Sequence, residues 1–142
     1  MANYNCAIRT NYFHVKDAEK FKNLMQNVDA EDEIQVFTNH DEKGETVYGF
    51  GCYGGISGIP NPDNPDDWDG SYDHFTDALQ ELVADDDAII IMEAGHEKLR
   101  YITASAQVIT SKETARLDII PLAVTKAAEM LHNPKWKTRA KY

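Results

Sequence analysis

The chain has 142 residues, of which 42% are hydrophobic and 10% aromatic, enough for one compact domain with a single core. Its formal net charge is −10, from 24 acidic against 14 basic residues, and it contains two cysteines. These features argue against an acidic disordered chain, a disulfide-rich secreted scaffold and a protein that binds nucleic-acid phosphates through its acidic surface.

The sequence was searched for two features that determine localisation, a secretory signal and a membrane-spanning helix. The start MANYNCAIRT lacks the apolar run of a secretory signal, and the longest apolar run, AIIIM, is far shorter than the roughly 18 residues that a membrane helix needs. We therefore expect a cytoplasmic protein with one domain over residues 1–142.

The first half of the chain predicts a strand, a helix and a hairpin. Residues 4–15 are rich in β-branched and aromatic residues, which favour a strand. A helix is predicted from an Asp17 N-cap to about Val28, because its apolar residues follow a three-and-four spacing. Two strands at 33–40 and 45–54 are separated by Asp-Glu-Lys-Gly, which predicts a turn at the glycine, Gly44.

The second half begins with a long acidic loop over 55–71. Ser71 is the predicted N-cap of a second helix, and the continuous apolar run at 88–94 predicts a buried strand. The sequence 95–98 predicts a turn into an alternating, half-buried strand at 100–110. A last helix is predicted near residue 121, where proline suits a first turn.

This element order is β-α-β-β-α-β followed by β-α. It predicts an α+β fold with a ferredoxin-like βαββαβ core, an added C-terminal strand and helix, and a mostly antiparallel sheet. Such a fold hosts unrelated functions, so the function must come from a site.

The acidic loop does not match a calcium loop of the EF-hand type. Placing Gly70 at position 6 puts Pro65 at position 1 and Thr76 at position 12, so both end ligands are missing. Four scattered histidines also lack the short spacing of a zinc site; they are His14, His40, His74 and His132. The sequence therefore predicts no metal site and no cofactor.

A literal G-x-G-x-x-G occurs at residues 49–54. A phosphate-binding loop would lead directly into a helix, whereas these glycines lie in a predicted strand and precede prolines and aspartates. We interpret them as a bulged strand, or as a strand that another backbone crosses closely.

No catalytic residues are predicted, and the protein is expected to bind rather than to catalyse. Charged residues at the turn after the buried strand are ordinary solvated groups or, alternatively, part of a ligand cleft with the glycine-rich strand. That alternative cleft consists of Gly51, Tyr53, Glu93, His96 and Arg100. Cys6 and Cys52 are interpreted as buried structural thiols.

The 54 residues between Lys43 and Lys98 contain 13 acids and no lysine or arginine. A folded surface with this charge favours a basic protein partner. The predicted partner-binding residues are Asp63, Asp66, Asp67, Asp69, Asp73, Asp77, Glu81, Asp85, Asp86 and Asp87.

The tail at 133–142 interleaves basic and aromatic residues. Such a composition is typical of segments that hold single-stranded nucleic acid, but four charges are few beside the central acids. We expect a solvated terminus, or docking on acidic surface of its own chain or of a second copy. The residues concerned are Lys135, Trp136, Lys137, Arg139, Lys141 and Tyr142.

Three stretches of the sequence resemble those of a known protein family. NYNCAIRTNYFHVKD, GFGCYGGISG and EAGHEKLRYITASAQVIT resemble a family of small, acidic, largely uncharacterised proteins carried on phages and conjugative elements of gut Firmicutes. The resemblance implies an accessory protein of a mobile element that acts on host defence, and it carries over no catalytic residue.

From charge and resemblance together we expect a non-enzymatic protein whose acidic face occupies a basic surface. The predicted target is a host defence nuclease, a restriction or CRISPR component, for which the protein would act as a nucleic-acid mimic. One alternative is a small-molecule-binding protein or small enzyme with a cleft near residues 49–55 and 93–100. Another is a homodimeric structural protein, with an exposed apolar sheet face or helix buried between two copies.

Overall fold

The computed structural model describes residues 4–64, 66 and 70–137. In chain order the elements are β1 (Asn5–Thr10), α1 (Ala18–Gln26), β2 (Asp29–Ala30), β3 (Gln35–His40), β4 (Thr46–Tyr53), β5 (Ile56–Gly58), α2 (Tyr72–Leu82), β6 (Ile89–Glu97), β7 (Tyr101–Ile109), β8 (Thr114–Asp118) and α3 (Ile119–Met130). Among these residues, no helix is both long and apolar enough to cross a membrane.

The strands of the described residues form a large sheet of six strands and a small sheet of two. The large sheet has the order β3-β4-β1-β6-β7-β8, and all of its neighbouring strands are antiparallel. The small sheet pairs β2 with β5. The predicted α+β fold with a mostly antiparallel sheet is confirmed.

Two helices cover one side of the large sheet, which we call the core face. α1 begins at an Asp17 N-cap whose carboxylate accepts the Lys20 N–H, and α2 begins at a Ser71 N-cap whose hydroxyl accepts the His74 N–H. Both N-caps are the predicted ones. Each helix buries one apolar stripe, which holds it on the sheet.

Four phenylalanines form the centre of the core. Phe13, Phe21, Phe50 and Phe75 are fully buried. The Phe50 ring meets Phe13 and Phe75 edge to face, at centroid distances of 6.3 and 5.8 Å. This geometry suits the positive edge and negative face of aromatic rings. Phe50 of β4 thus contacts α2 directly, and it reaches α1 through Phe13, whose ring meets Phe21 at 5.7 Å.

The glycines of β4 permit close packing against β1. A Cβ at Gly51 would lie 2.6 Å from the backbone oxygen of Ile8, and one at Gly49 would lie 3.0 Å from that of Asn11. The interpretation of the G-x-G-x-x-G sequence as a strand crossed closely by another backbone is confirmed, and the strand leads into no helix.

The structure differs from the prediction at several strand boundaries. β1 ends at Thr10, because the chain leaves the sheet there; Phe13 bridges back to Tyr48 of β4, and Val15 bridges to Val83 at the end of α2. β6 continues through Glu97, so the predicted turn at 95–98 lies instead at 98–100, where Lys98 has a φ of 50°.

Three strands were not predicted: β2, β5 and β8. β2 and β5 have two and three residues, too few for an alternating pattern to be recognised. β8 carries charged residues at alternate positions and extends the sheet by one edge strand.

Candidate functional site

The segment 13–16 crosses between two loops and carries His14. Phe13 exchanges backbone hydrogen bonds with Tyr48 of β4, while the Lys16 N–H bonds to the Leu82 carbonyl at the end of α2. His14 therefore lies between the β3–β4 turn and the loop that precedes β6.

Carboxylates from both loops contact the His14 ring. Nδ1 lies 2.7 Å from Oδ2 of Asp87, and Nε2 lies 2.7 Å from Oδ2 of Asp41 and 3.6 Å from Oε2 of Glu45. Because an ionised carboxylate can only accept a hydrogen bond, this arrangement suits an imidazole that carries a proton on both ring nitrogens.

The protonation equilibria agree with this geometry. Hydrogen bonds to Asp41 and then Asp87 raise the pKa of His14 above its ordinary value. The hydrogen bond from His14 lowers the pKa of Asp41. Burial by itself would raise the pKa of Asp87, but hydrogen bonds from the backbone and ring of His14 outweigh it and the pKa is lowered.

Backbone groups hold the two nearest carboxylates in place. Oδ1 of Asp41 accepts the N–H groups of Lys43 at 2.9 Å and Glu45 at 2.8 Å, which leaves Oδ2 directed at His14. Oδ1 of Asp87 accepts the Ala88 N–H at 2.8 Å. Both carboxylates are thus oriented by the loops to which they belong.

The nitrogen of His14 and the carboxylate oxygens of Asp41 and Glu45 all lie within 4.8 Å of one another. This set, with Asp87 on the far side of the ring, is called the His14 centre below. It opens into a cleft of about 630 Å³ that Asp86 and Lys43 also line. One imidazole and two carboxylates are a recurrent ligand set for first-row divalent metals.

The sequence alone does not predict this centre. His14 precedes Asp41 by 27 positions, and Asp87 follows Glu45 by 42 positions. Of the four residues, only Asp41 and Glu45 are close to each other in the sequence. Ligand spacing is informative only when ligands share a local element, so the D-x-x-x-E spacing of the turn was the one signal present.

The predicted acidic face is not uniform in the structure. Asp73, Asp77 and Glu81 form an exposed stripe along α2. Other predicted partner-binding residues are engaged within the chain: Asp63 lies 3.1 Å from His74, and Asp87 belongs to the His14 centre. Asp67 and Asp69 lie outside the described residues.

Basic residues from distant parts of the sequence enter this surface. Lys16 lies 3.0 Å from Asp85, and its hydrogen bond and charge lower the pKa of that carboxyl. A hydrogen bond from Ser111 and the nearby charge of Lys112 lower this pKa further. The window without lysine or arginine is therefore a property of the sequence and not of the surface.

The residues of the predicted alternative cleft do not converge. Gly51 and Tyr53 line a groove of about 240 Å³ beside Arg9, whose guanidinium stacks on Phe37 at 4.1 Å. Glu93 does not line this groove, and it accepts a hydrogen bond from Tyr4 at 2.9 Å. His96 and Arg100 line neither this groove nor the His14 centre.

The side of the large sheet opposite the core face is called the open face. The strand registers place alternate residues of four strands on it: Asn5, Ala7 and Arg9 of β1, Ile90, Met92, Ala94 and His96 of β6, Ile102, Ala104, Ala106 and Val108 of β7, and Ala115 and Leu117 of β8. Ile119 and Leu122 of α3 close one side of a groove of about 520 Å³ along it.

The described part of the basic tail folds back beside α3. Trp136 is half-buried and lines a groove of about 560 Å³ with Val124 and Ala128, while Lys135 and Lys137 are exposed. Arg139, Lys141 and Tyr142 lie outside the described residues.

No family model and no curated protein matches the sequence. A similar solved structure is LarC2, the C-terminal domain of a cyclometallase involved in the synthesis of the NPN cofactor of lactate racemase, in its apo form. The two chains are 12% identical with a TM-score of 0.37, and the match covers 94% of this chain and 90% of that one. A likeness at this level transfers no activity.

The prediction of a nucleic-acid mimic that inhibits a defence nuclease is wrong. The prediction depended on a continuous acidic surface, but Lys16 pairs with Asp85 within that surface. Two more of its carboxylates contact histidines of the same chain, Asp87 with His14 and Asp63 with His74. The resemblance to mobile-element proteins and the basic protein partner stay predictions.

Proposed function

We propose that this protein binds a divalent metal ion at the His14 centre, with His14, Asp41 and Glu45 as ligands. The observation that carries the proposal is that three ligand atoms from two separate parts of the chain lie within 4.8 Å of one another. The cation would take the place of the proton on Nε2 of His14.

The second contact of the His14 ring supports this assignment. Metal-bound histidines commonly donate their other N–H to a carboxylate, which fixes the ring and makes it a stronger ligand. Asp87 supplies that carboxylate at 2.7 Å and is itself held by the Ala88 N–H. The ring is therefore oriented before a cation arrives.

The distances favour a small first-row ion. Metal–ligand bonds of about 2.0 to 2.2 Å in a tetrahedral site separate the ligand atoms by roughly 3.3 Å. The present separations from Nε2 are 2.7 Å to Asp41 and 3.6 Å to Glu45, so shifts of less than about 1 Å suffice. A mixed nitrogen and oxygen set suits Zn²⁺ or Mn²⁺ better than Ca²⁺, which prefers oxygen ligands throughout.

The same groups could instead form an ion pair that never exchanges its proton for a metal. Calorimetric titration of the metal-stripped full chain with Zn²⁺ and with Mn²⁺ separates the two cases. We expect one ion per chain, and no binding by His14→Ala.

His74→Ala is the matched control, because His74 also contacts a hydroxyl and one carboxylate but lacks a second carboxylate. It should bind like the unmodified chain. Equal binding by the unmodified chain and His14→Ala would exclude the His14 centre as the site.

We also propose that the core is ferredoxin-like. The strand order β3-β4-β1-β6 within the large sheet, with α1 and α2 on one face, supports that description. A solved structure with the same connections and a TM-score above 0.5 would test it.

A further inference from the structure

The last helix is the most apolar helix of the chain and the least buried. α3 reads IIPLAVTKAAEM, with Lys126 and Glu129 as its charged residues, and none of its residues is buried. α1 and α2, by contrast, each bury an apolar stripe. A helix with this much apolar surface is normally covered by other parts of a protein, whereas α3 contacts its own sheet on one side.

The open face has the opposite deficit, because it is an apolar surface that a helix covers along one side only. Ala7, Ala94, Ala104 and Ala106 give it a flat floor that a helix backbone can approach closely. Large apolar side chains around the floor are exposed, Ile102 by 57%. Within the described chain, α3 covers this face only at its β7 and β8 side.

The open face is also where two copies of an acidic chain repel each other least. The chain has 24 acids and a net charge of −10, but the open-face positions of β1, β6, β7 and β8 include no Asp or Glu, and Glu93 is the one acid among the residues that line the groove. In α3, Glu129 lies 3.6 Å from Lys126. Depletion of charge at the centre is typical of protein interfaces.

The exposed apolar area is large enough for a stable contact. Eight large side chains that are each roughly half exposed present on the order of 800 Å², about what one partner contributes to a standard interface. They are Met92, Ile102, Leu117, Ile119, Ile120, Leu122, Met130 and Leu131.

We infer that a second copy of this chain covers the open face, with α3 of each copy on the alanine floor of the other. One chain carries both an uncovered helix and an uncovered surface that accepts a helix. A twofold axis satisfies both at once, because each copy gives its helix and receives its partner's. This interface is separate from the His14 centre and does not depend on a metal.

Light scattering of the full chain after size exclusion tests the inference. We expect a dimer, and we expect Leu122→Glu to raise its dissociation constant at least about 30-fold, the effect of losing an interface hot spot. Leu99→Glu is the matched control, because Leu99 is 80% exposed in the β6–β7 turn, outside both the open face and α3. Circular dichroism checks that both variants are folded.

A cross-linking experiment identifies the contact. A photoreactive residue at position 122 of an isotopically heavy copy, mixed with light protein, should label light peptides that contain Ala104 and Ala106. The inference is overturned by a monomeric protein, by a dimer that Leu122→Glu leaves intact, by equal loss in Leu99→Glu, or by cross-links confined to single copies.

Discussion

Oδ2 of Asp87 accepts two hydrogen bonds from His14, one from its backbone N–H at 2.8 Å and one from ring Nδ1 at 2.7 Å. The loop before β6 thereby fixes both the position of His14 and the plane of its ring. Nε2 is left to face Asp41 and Glu45 across the cleft.

Replacing Asp87 by Asn should weaken metal binding without removing a ligand. Loss of such an orienting carboxylate typically costs 10- to 100-fold in metal affinity, and we expect a change of about that size for Zn²⁺. Calorimetric titration measures it. Asp63→Asn, at the other histidine–carboxylate contact, should leave the affinity unchanged, and an unchanged affinity in Asp87→Asn would contradict the role given to Asp87.

The stability of the metal-free protein should depend on pH through the same residues. Since the folded-state pKa of His14 is raised, its contribution is fully present below the unfolded value of about 6.5 and is lost as the pH rises through the folded value. Asp41 and Asp87 have lowered folded-state pKa values, so their contributions are present above about 3.9 and are lost as the pH falls through the folded values.

We therefore expect the contribution of the His14 centre to be greatest between about pH 4 and pH 6.5. Denaturant unfolding with a chelator present, over a range of pH, measures it. His14→Gln should lose the alkaline part of this dependence. A variant that keeps the whole pH profile would show that other groups cause it.

Gly51→Ala should destabilise the fold. Its new methyl group would lie 2.6 Å from the Ile8 carbonyl oxygen in the middle of the sheet, and overpacking of this kind typically costs about 1–3 kcal/mol. Gly55→Ala is the control, because its methyl group would meet Glu31 at an ordinary 3.6 Å. Denaturant unfolding compares the two free energies, and equal values would contradict the close approach of β1 and β4.

Phe50→Ala should be among the most damaging single substitutions. Phe50 is fully buried and contacts Phe13 and Phe75, so its loss opens a cavity and should cost about 3–5 kcal/mol in the free energy of unfolding. Leu99→Ala removes an exposed side chain and should change that free energy by less than about 0.5 kcal/mol. A small effect at Phe50 would mean that this part of the core repacks.

Local patterns in the sequence predicted much of the fold. The N-caps Asp17 and Ser71 and the turn residue Gly44, whose φ is 81°, were identified correctly because each depends on neighbours within four residues. β8 was not predicted, because it has only five residues. Their alternation of polar and apolar side chains is too short to distinguish a strand from a loop.

The candidate sites were much less predictable. The sequence suggested one acidic face because Lys43 and Lys98 enclose a window without basic residues, yet Lys16 and Lys112 come beside Asp85 from outside that window. Charge along a chain does not determine charge over a surface, because folding places residues from distant segments side by side.

Local sequence patterns were enough to predict the three helices, five of the eight described strands, two helix caps and the apolar residues that build the core. Only the tertiary structure decided that His14 meets Asp41, Glu45 and Asp87, and that α3 and the open face remain exposed in a single copy. The physical reason is distance along the chain. Caps and periodicity act over a few residues, whereas ligand sets and surfaces are formed by segments that become neighbours only when the sheet is complete.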